Sequence, residues 1–340
     1  MLIESDGKIT GAISGGCLEG DALRKALLAM SQGENKLVTY DTLHEDDVNF
    51  GVQLGCNGIV HILFEPIDAG DPCNPIALLE NCIFHRKNTV IVTLFSLEKY
   101  HGHQHGTCLF FDGELIHSTL AEGKLASEIQ KEAMNVLSNQ RSLLKQYGNK
   151  EGTSFVEFIE PPVSLIIVGA GNDVLPMVAI ASLLGWHTTV IDGRSTHANR
   201  QRFPQSNKVI PGQPAEAIKQ VRIDEKTAFV LMTHNYNYDL ATLRILLQKQ
   251  CAYIGTLGPK KRLERMFQEL ETQGVLTTAD QQAMIHGPTG LDIGAETAEE
   301  IALSIIAEIK AVLSRRDGNF LRERPEAIHS RTTVLSAIIT

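Results

Sequence analysis

No two cysteines in this sequence are separated by just two other residues, which removes the commonest zinc-binding spacing. The six cysteines, at 17, 56, 73, 82, 108 and 251, are scattered along a chain that opens "MLIESDGKIT", with no basic stretch followed by an apolar one. Reduced thiols in the cytoplasm are therefore expected rather than an exported disulfide framework. No run of about 18 apolar residues occurs, so no membrane-spanning helix is expected. Positive charge is in deficit: 31 Lys and Arg face 40 Asp and Glu, a formal net charge of −9. Such a chain has no broad attraction for nucleic acid or anionic lipid, although a local basic pocket can still hold a small anion.

What is present is an ordinary globular composition, 43% hydrophobic and 21% charged, in 340 residues. That length suits two domains better than one. The first part reads as β-rich. Segments 2–5 and 8–13 flank Asp6-Gly7, a hairpin pair, and "LFFDGELIHSTL" at 109–120 repeats the arrangement around Asp112-Gly113. Spacing predicts a helix over 18–31, strands over 58–64 and 89–95, and a long polar helix over 121–147 that leads to a boundary at "GNKEGTS".

From 161 the pattern becomes strand, turn, helix, repeated. Strands are expected at 164–168, 187–191, 207–210, 228–232, 252–254 and 284–286, with helices at 173–184, 214–221, 238–250, 260–273 and 298–313. The fold class expected is α/β, a Rossmann-like doubly wound parallel sheet preceded by a smaller β-rich α+β domain. The divisions are a first domain at 1–120, a helical linker at 121–160, the Rossmann-like domain at 161–314 and a tail at 315–340.

"SLIIVGAGNDVLPMVAIASLLGWHTTVIDGR" carries Gly169-x-Gly171 between a strand and a helix, and a second strand ending in Asp192. Gly171 lets backbone approach a phosphate, and Asp192 suits a ribose 2′-hydroxyl. The third glycine of the dinucleotide pattern is lacking; Val174 stands there. A bound nucleotide such as NAD(P), another phosphate ligand and a purely structural turn all remain open.

Ligands of open α/β sheets bind outside the carboxyl ends of the strands, which singles out further residues. Thr233 and His234 follow one strand, His234 as an anion donor, a proton shuttle or simply a loop histidine. Gly255 and Gly258 precede Lys260, Lys261 and Arg262, cations crowded at the positive end of a helix unless an anion joins them or solvent screens them. Gly290, Asp292 and Gly294 lie in the loop that feeds a Thr297/Glu300 capping box. In the first part, Gly15-Gly16-Cys17 and Gly55-Cys56 put thiols in glycine turns, where a helix terminus activates a cysteine, although inert burial explains an isolated thiol equally. His101, His103 and His105 alternate, as a metal site needs and as a histidine-rich surface loop also does.

Taken together, "GAISGGCLEGDAL", "LGCNGIVHILFEPI", "IIVGAGNDV" with "VIDGR", "LMTHNYNYDLATL", "YIGTLGPKKRLERM" and "GPTGLDIGAETAEEIALSIIAEI" resemble the XdhC/CoxI-type accessory proteins of xanthine dehydrogenase, in family order over almost the whole chain. The resemblance implies a protein that binds molybdenum cofactor (molybdopterin), guards it while a cysteine desulfurase supplies sulfur, and hands it to xanthine dehydrogenase or a related molybdenum hydroxylase in purine catabolism. It also implies that Cys17, Cys56, the matching glycine loops with Asn172, Asp192 and Arg194, His234 and Lys260 to Arg262 are cofactor contacts, with the two cysteines near molybdenum. Three departures stand out: the family's strand and "GSSPR"-like turn ahead of "MLIESDG" are lacking, Asn172 replaces a common histidine, and Asn235 a common aspartate. The alternatives are an NAD(P)-binding oxidoreductase and a non-catalytic protein with a regulatory or scaffold role. Homodimer formation is left open.

Overall fold

The computed structural model describes residues 1–13, 18–41, 59–71, 73–98, 104–148 and 152–325. The chain divides into two compact units, one from Met1 to Pro161 and one beginning at Pro162.

The first unit opens on the hairpin β1 (Leu2–Ile3) and β2 (Ile9–Thr10). Its turn works because Gly7 takes φ +87° and the Asp6 carboxylate accepts the Lys8 N–H at 2.9 Å. Helix α1 (Glu19–Gln32) stops at Gly33, whose φ of +65° lets its N–H return to the last carbonyls. Strands β3 (Lys36–Asp41) and β4 (Ile59–Phe64) pair antiparallel, and α2 (Pro75–His85) starts where Asn74 accepts the Ile76 and Ala77 N–H groups.

The remaining elements are β5 (Thr89–Phe95), β6 (Gly106–Phe111), β7 (Ile116–Ser118), α3 (Lys124–Asn139), β8 (Leu143–Tyr147) and β9 (Gly152–Ile159). Their strands form one antiparallel sheet in the order β7-β6-β5-β9-β8. Ile129, Ala133 and Val136 of α3 pack on Val90, Val92 and Val156 of that sheet. The expected helix over 121–147 is thus corrected. It ends at Asn139, because Gln140 turns left-handed at φ +54° and caps the Val136 carbonyl. Leu143 to Tyr147 then pair with β9, with Tyr147 Oη 3.0 Å from Ser154 Oγ. Leu143 and Tyr147, four apart, share a face in either period, and strand pairing decides between them.

The second unit contains β10 (Ser164–Val168), α4 (Val174–Leu183), β11 (His187–Asp192), β12 (Lys208–Pro211), α5 (Pro214–Ile218), β13 (Thr227–Leu231), α6 (Tyr236–Leu246), β14 (Tyr253–Thr256), α7 (Lys260–Thr272), α8 (Ala279–Ala283), β15 (Ile285–His286) and α9 (Ala298–Leu313). All six strands run parallel in the order β12-β11-β10-β13-β14-β15. Counted within the unit this is 3-2-1-4-5-6, the Rossmann order, and it confirms the expected parallel sheet. β10 is buried on both faces because its alternate residues feed opposite layers. Leu165 and Ile167 join Met177 of α4 and Ile305 and Ile309 of α9. Ile166 and Val168 join Ile218, Leu243, Leu246 and Met266 of α5 to α7. Each such side chain contributes roughly 1.5–3 kcal/mol by leaving water.

Candidate functional site

The sheet order reverses beside β10, and the first connection there is the glycine loop. Gly169 takes φ +137°, and a Cβ on it would lie 2.5 Å from the Met232 carbonyl oxygen, so only glycine lets the turn pass the end of β13. Helix α4 starts at Val174, which leaves Pro176 harmlessly in its first turn. Val174, in place of a third glycine, is fully buried in the core.

At the end of β11, Asp192 is held by four donors. Its carboxylate accepts the Ala170 N–H at 2.9 Å, the Arg194 N–H at 2.9 Å, and Arg194 Nε and Nη2 at 2.9 and 2.8 Å. Burial alone would raise this carboxyl, but the Arg194 guanidinium and the two backbone N–H groups outweigh it and hold it below the usual carboxylate range. The next part of the same connection supplies Arg202. It donates from Nη1 to the carbonyls of Ala170 (2.6 Å) and His197 (3.1 Å), and from Nη2 to Asn172 Oδ1 (2.7 Å). Across the crevice, Thr233 and His234 follow β13. His234 is left-handed at φ +57°, with Nε2 3.1 Å from Asp173 Oδ2.

Here an open cavity of about 380 Å³ is lined by Gly171, Asn172, Arg194, Thr196, His197, Arg202, Thr233 and His234. None of the lining residues is acidic, so a donor set of two arginines, two histidines and the Thr196 hydroxyl fits an anionic group. Gly171, Asn172, Arg194, Thr233 and His234 were expected from the sequence. Thr196, His197 and Arg202 were not; their signal is the basic run "RSTHANRQR", which continues past Asp192 along the mouth of the crevice.

The other expected residues serve different ends. Arg262 donates to Asp239 Oδ2 at 2.7 Å and to the Leu257 carbonyl at 3.0 Å, while Thr233 Oγ1 donates to Asp239 Oδ1 at 2.7 Å. Asp239 is wholly buried; desolvation raises its carboxyl, and these hydrogen bonds only moderate the shift. The ion pair gives Arg262 a partner that an anion would otherwise supply, while Lys260 and Lys261 remain exposed on α7. Gly255 makes room for the Thr289 hydroxyl, Gly258 for the stem of Arg262, and Gly290 for Ser304. The Gly290 N–H also donates to Glu308 at 2.8 Å. Glu308 gathers Tyr253, Thr289 and His286 as well, and these partners overcome burial to bring its carboxyl down to about 2. Asp292 is exposed and Gly294 has open space where its Cβ would be.

Gly15, Gly16, Cys17, Gly55, Cys56, His101 and His103 lie outside the described residues. His105 is exposed, and its carbonyl accepts from Asn35 at 3.0 Å. Cys73, Cys82, Cys108 and Cys251 are free thiols. Among the described residues no three His, Cys, Asp or Glu side chains group as a metal site, and no helix is long and apolar enough to cross a membrane. A cavity of about 850 Å³ in the first unit, between β1, α1 and β4, is lined by Glu4 and Glu65 and by no Lys or Arg. It does not suit an anion.

Comparison with known proteins agrees with this geometry. The family described as "XdhC Rossmann domain" matches residues 165–309, and that described as "XdhC and CoxI family" matches residues 1–41. A Bacillus subtilis (strain 168) protein, named as a probable component of xanthine dehydrogenase, is 27% identical over 309 residues, covering 91% of this chain and 86% of the relative. The "Molybdenum cofactor insertion chaperone PaoD" of Escherichia coli (strain K12) is 23% identical, covering 92% of this chain and 77% of its own. A crystal structure described as a xanthine dehydrogenase from Bacillus halodurans has a TM-score of 0.72 and 28% identity, over 95% of this chain and 87% of that one. Both parts of the family pattern, in order on one chain, with a Rossmann sheet under the second, mean that this protein belongs to the XdhC/CoxI family.

Proposed function

We propose that this protein is an accessory protein that binds molybdenum cofactor, protects it while a cysteine desulfurase supplies sulfur, and delivers it to a molybdenum hydroxylase of the xanthine dehydrogenase type. The observation that carries the reading is the acid-free cavity at the reversal of the sheet order, with Arg194 and Arg202 in its wall. The names of the two curated relatives support the same direction. Arg202 braces the glycine loop through Ala170 and Asn172 while keeping its charge at the cavity, and Arg194 does the same for Asp192. In that reading the two arginines, with Thr196 and His197, hold the phosphate of the pterin. The bound group supplies the molybdenum centre of the receiving enzyme; this chain orients it and releases it.

The test is to mix the purified full chain with molybdenum cofactor and follow molybdenum and pterin through gel filtration. Both should co-elute with wild type, and Arg194→Ala should retain at least tenfold less. Absence of retention by wild type would sink the reading. Handover to apo-hydroxylase, with Cys17→Ala alongside, tests delivery.

A further inference from the structure

We propose that the cavity between the ends of β10, β11 and β13 selects a terminal phosphate monoester and turns away nicotinamide-type dinucleotides, because the chain's own side chains fill two positions that such a dinucleotide needs. This deepens the accessory reading above and rests on the cavity being its ligand site.

The first filled position is the ribose acceptor. In a dinucleotide-binding Rossmann unit the acid at the end of the second strand takes the ribose hydroxyls. Here that acid is Asp192, its side chain 4% exposed, and both oxygens already accept two N–H groups each. A ribose would have to displace a bidentate, charge-assisted pair, one of the stronger hydrogen-bonded arrangements in proteins. The second is the diphosphate approach. The carboxylate of Asp173 folds over the face of Gly171 where a side chain would begin, and His234 Nε2 holds it from the other side at 3.1 Å. A diphosphate laid on that glycine would meet a carboxylate.

Away from Asp173, the wall is different. Arg194 and Arg202 present the parts of their forks not bound to Asp192, Ala170, His197 and Asn172, and Thr196 and His197 lie between them in sequence. Planar guanidinium groups match the several terminal oxygens of a monoester dianion better than the two of a bridging diester. The volume, about 380 Å³, is near the lower end of the roughly 300–1,000 Å³ usual for ligand sites. It suits the phosphate end of a ligand rather than a whole dinucleotide.

The probes are phenyl phosphate as monoester, diphenyl phosphate as diester, and NADH, each titrated into the full chain and followed by phosphorus NMR or nicotinamide fluorescence. Phenyl phosphate should broaden and shift saturably, diphenyl phosphate and NADH should not respond, and Arg202→Ala should weaken phenyl phosphate at least tenfold. Because Arg202 also braces the glycine loop, His197→Ala, which keeps the backbone carbonyl of that brace, is the second variant and should cost about threefold. Saturable micromolar binding of NADH, or no response to phenyl phosphate, overturns the proposal. If phenyl phosphate fails while molybdenum cofactor is retained, the monoester assignment falls and the accessory reading stands. If phenyl phosphate binds while the cofactor is not retained, the accessory reading falls and the cavity's selectivity stands.

Discussion

Two arginine–carboxylate pairs stand at strand ends of the second unit, and they differ in everything but composition. Asp192 pairs with Arg194, whose side chain is 52% exposed at the cavity; Asp239 pairs with Arg262, which is only 20% exposed. Burial opposes the charge in both. Four N–H donors overcome it at Asp192, whereas at Asp239 the hydroxyl and backbone N–H of Thr233 and the Arg262 guanidinium do not, so one carboxyl is lowered and the other raised. The first pair keeps a guanidinium in reach of solvent and ligand. The second joins α6 to α7 and has little to offer an anion. Residue type and strand-end position do not separate binding from packing; the number of donors and the remaining access to water do.

The largest expected effect breaks the second pair. Arg262→Ala leaves Asp239 buried with only Thr233 for a partner, and loss of a buried partner costs about 3–5 kcal/mol. The loss should depend on pH. A carboxyl whose folded value is raised binds its proton more tightly when folded, so protonation relieves the loss as pH falls. Urea unfolding of the full chain should show a smaller deficit at pH 5 than at pH 8. Equal deficits would mean that Thr233 alone keeps the Asp239 carboxyl ionised, and the contrast would collapse.

Arg194→Ala comes next. Asp192 keeps its bonds to the Ala170 and residue-194 backbone N–H groups, so the expected destabilisation is about 1–2 kcal/mol. Its pH behaviour should differ from that of the first variant. A lowered folded value gives stability that is full above the ordinary carboxyl value of 3.8 and is lost only as pH falls below it. The deficit should therefore be the same at pH 8 and pH 5. Phenyl phosphate affinity should fall at least tenfold here and stay unchanged per folded molecule in Arg262→Ala, which places ligand contact at the first pair alone.

The contrast also marks how far the sequence could be read. Apart from the five-residue α8, which was not expected, strand and helix order in the second unit was legible because its periods are punctuated by Gly169, Asn235, Pro259 or the Thr297/Glu300 capping box, and that box forms as expected. The cavity was legible in part, since the strand-end rule finds Gly171, Arg194, Thr233 and His234. Arg202 escaped because its role depends on a loop folding back 32 residues to Ala170. The partner of Arg262 escaped in the same way: Asp239 lies 23 residues back along the chain, and nothing local says that the two meet. In the first unit, β8 was hidden inside a helical pattern because its pairing with β9 is a tertiary fact.

The smallest expected effect on stability is at His234, the residue that faces both ways. A left-handed residue with a side chain costs about 1–2 kcal/mol, which glycine removes. Glycine also makes the unfolded chain freer by roughly 0.5–1 kcal/mol, and the exposed contact with Asp173 adds at most about 1 kcal/mol, so these terms nearly cancel in His234→Gly. Unfolding free energy should stay within about 0.5 kcal/mol of wild type. Binding should not, because His234 is what faces the Asp173 carboxylate beside the cavity, and its removal leaves that charge nearer to an incoming anion. Phenyl phosphate affinity should fall about threefold, and the fall should shrink in high salt as the repulsion is screened. A loss of stability without a loss of affinity would instead place His234 with Asp239 and Arg262, as packing at the seam.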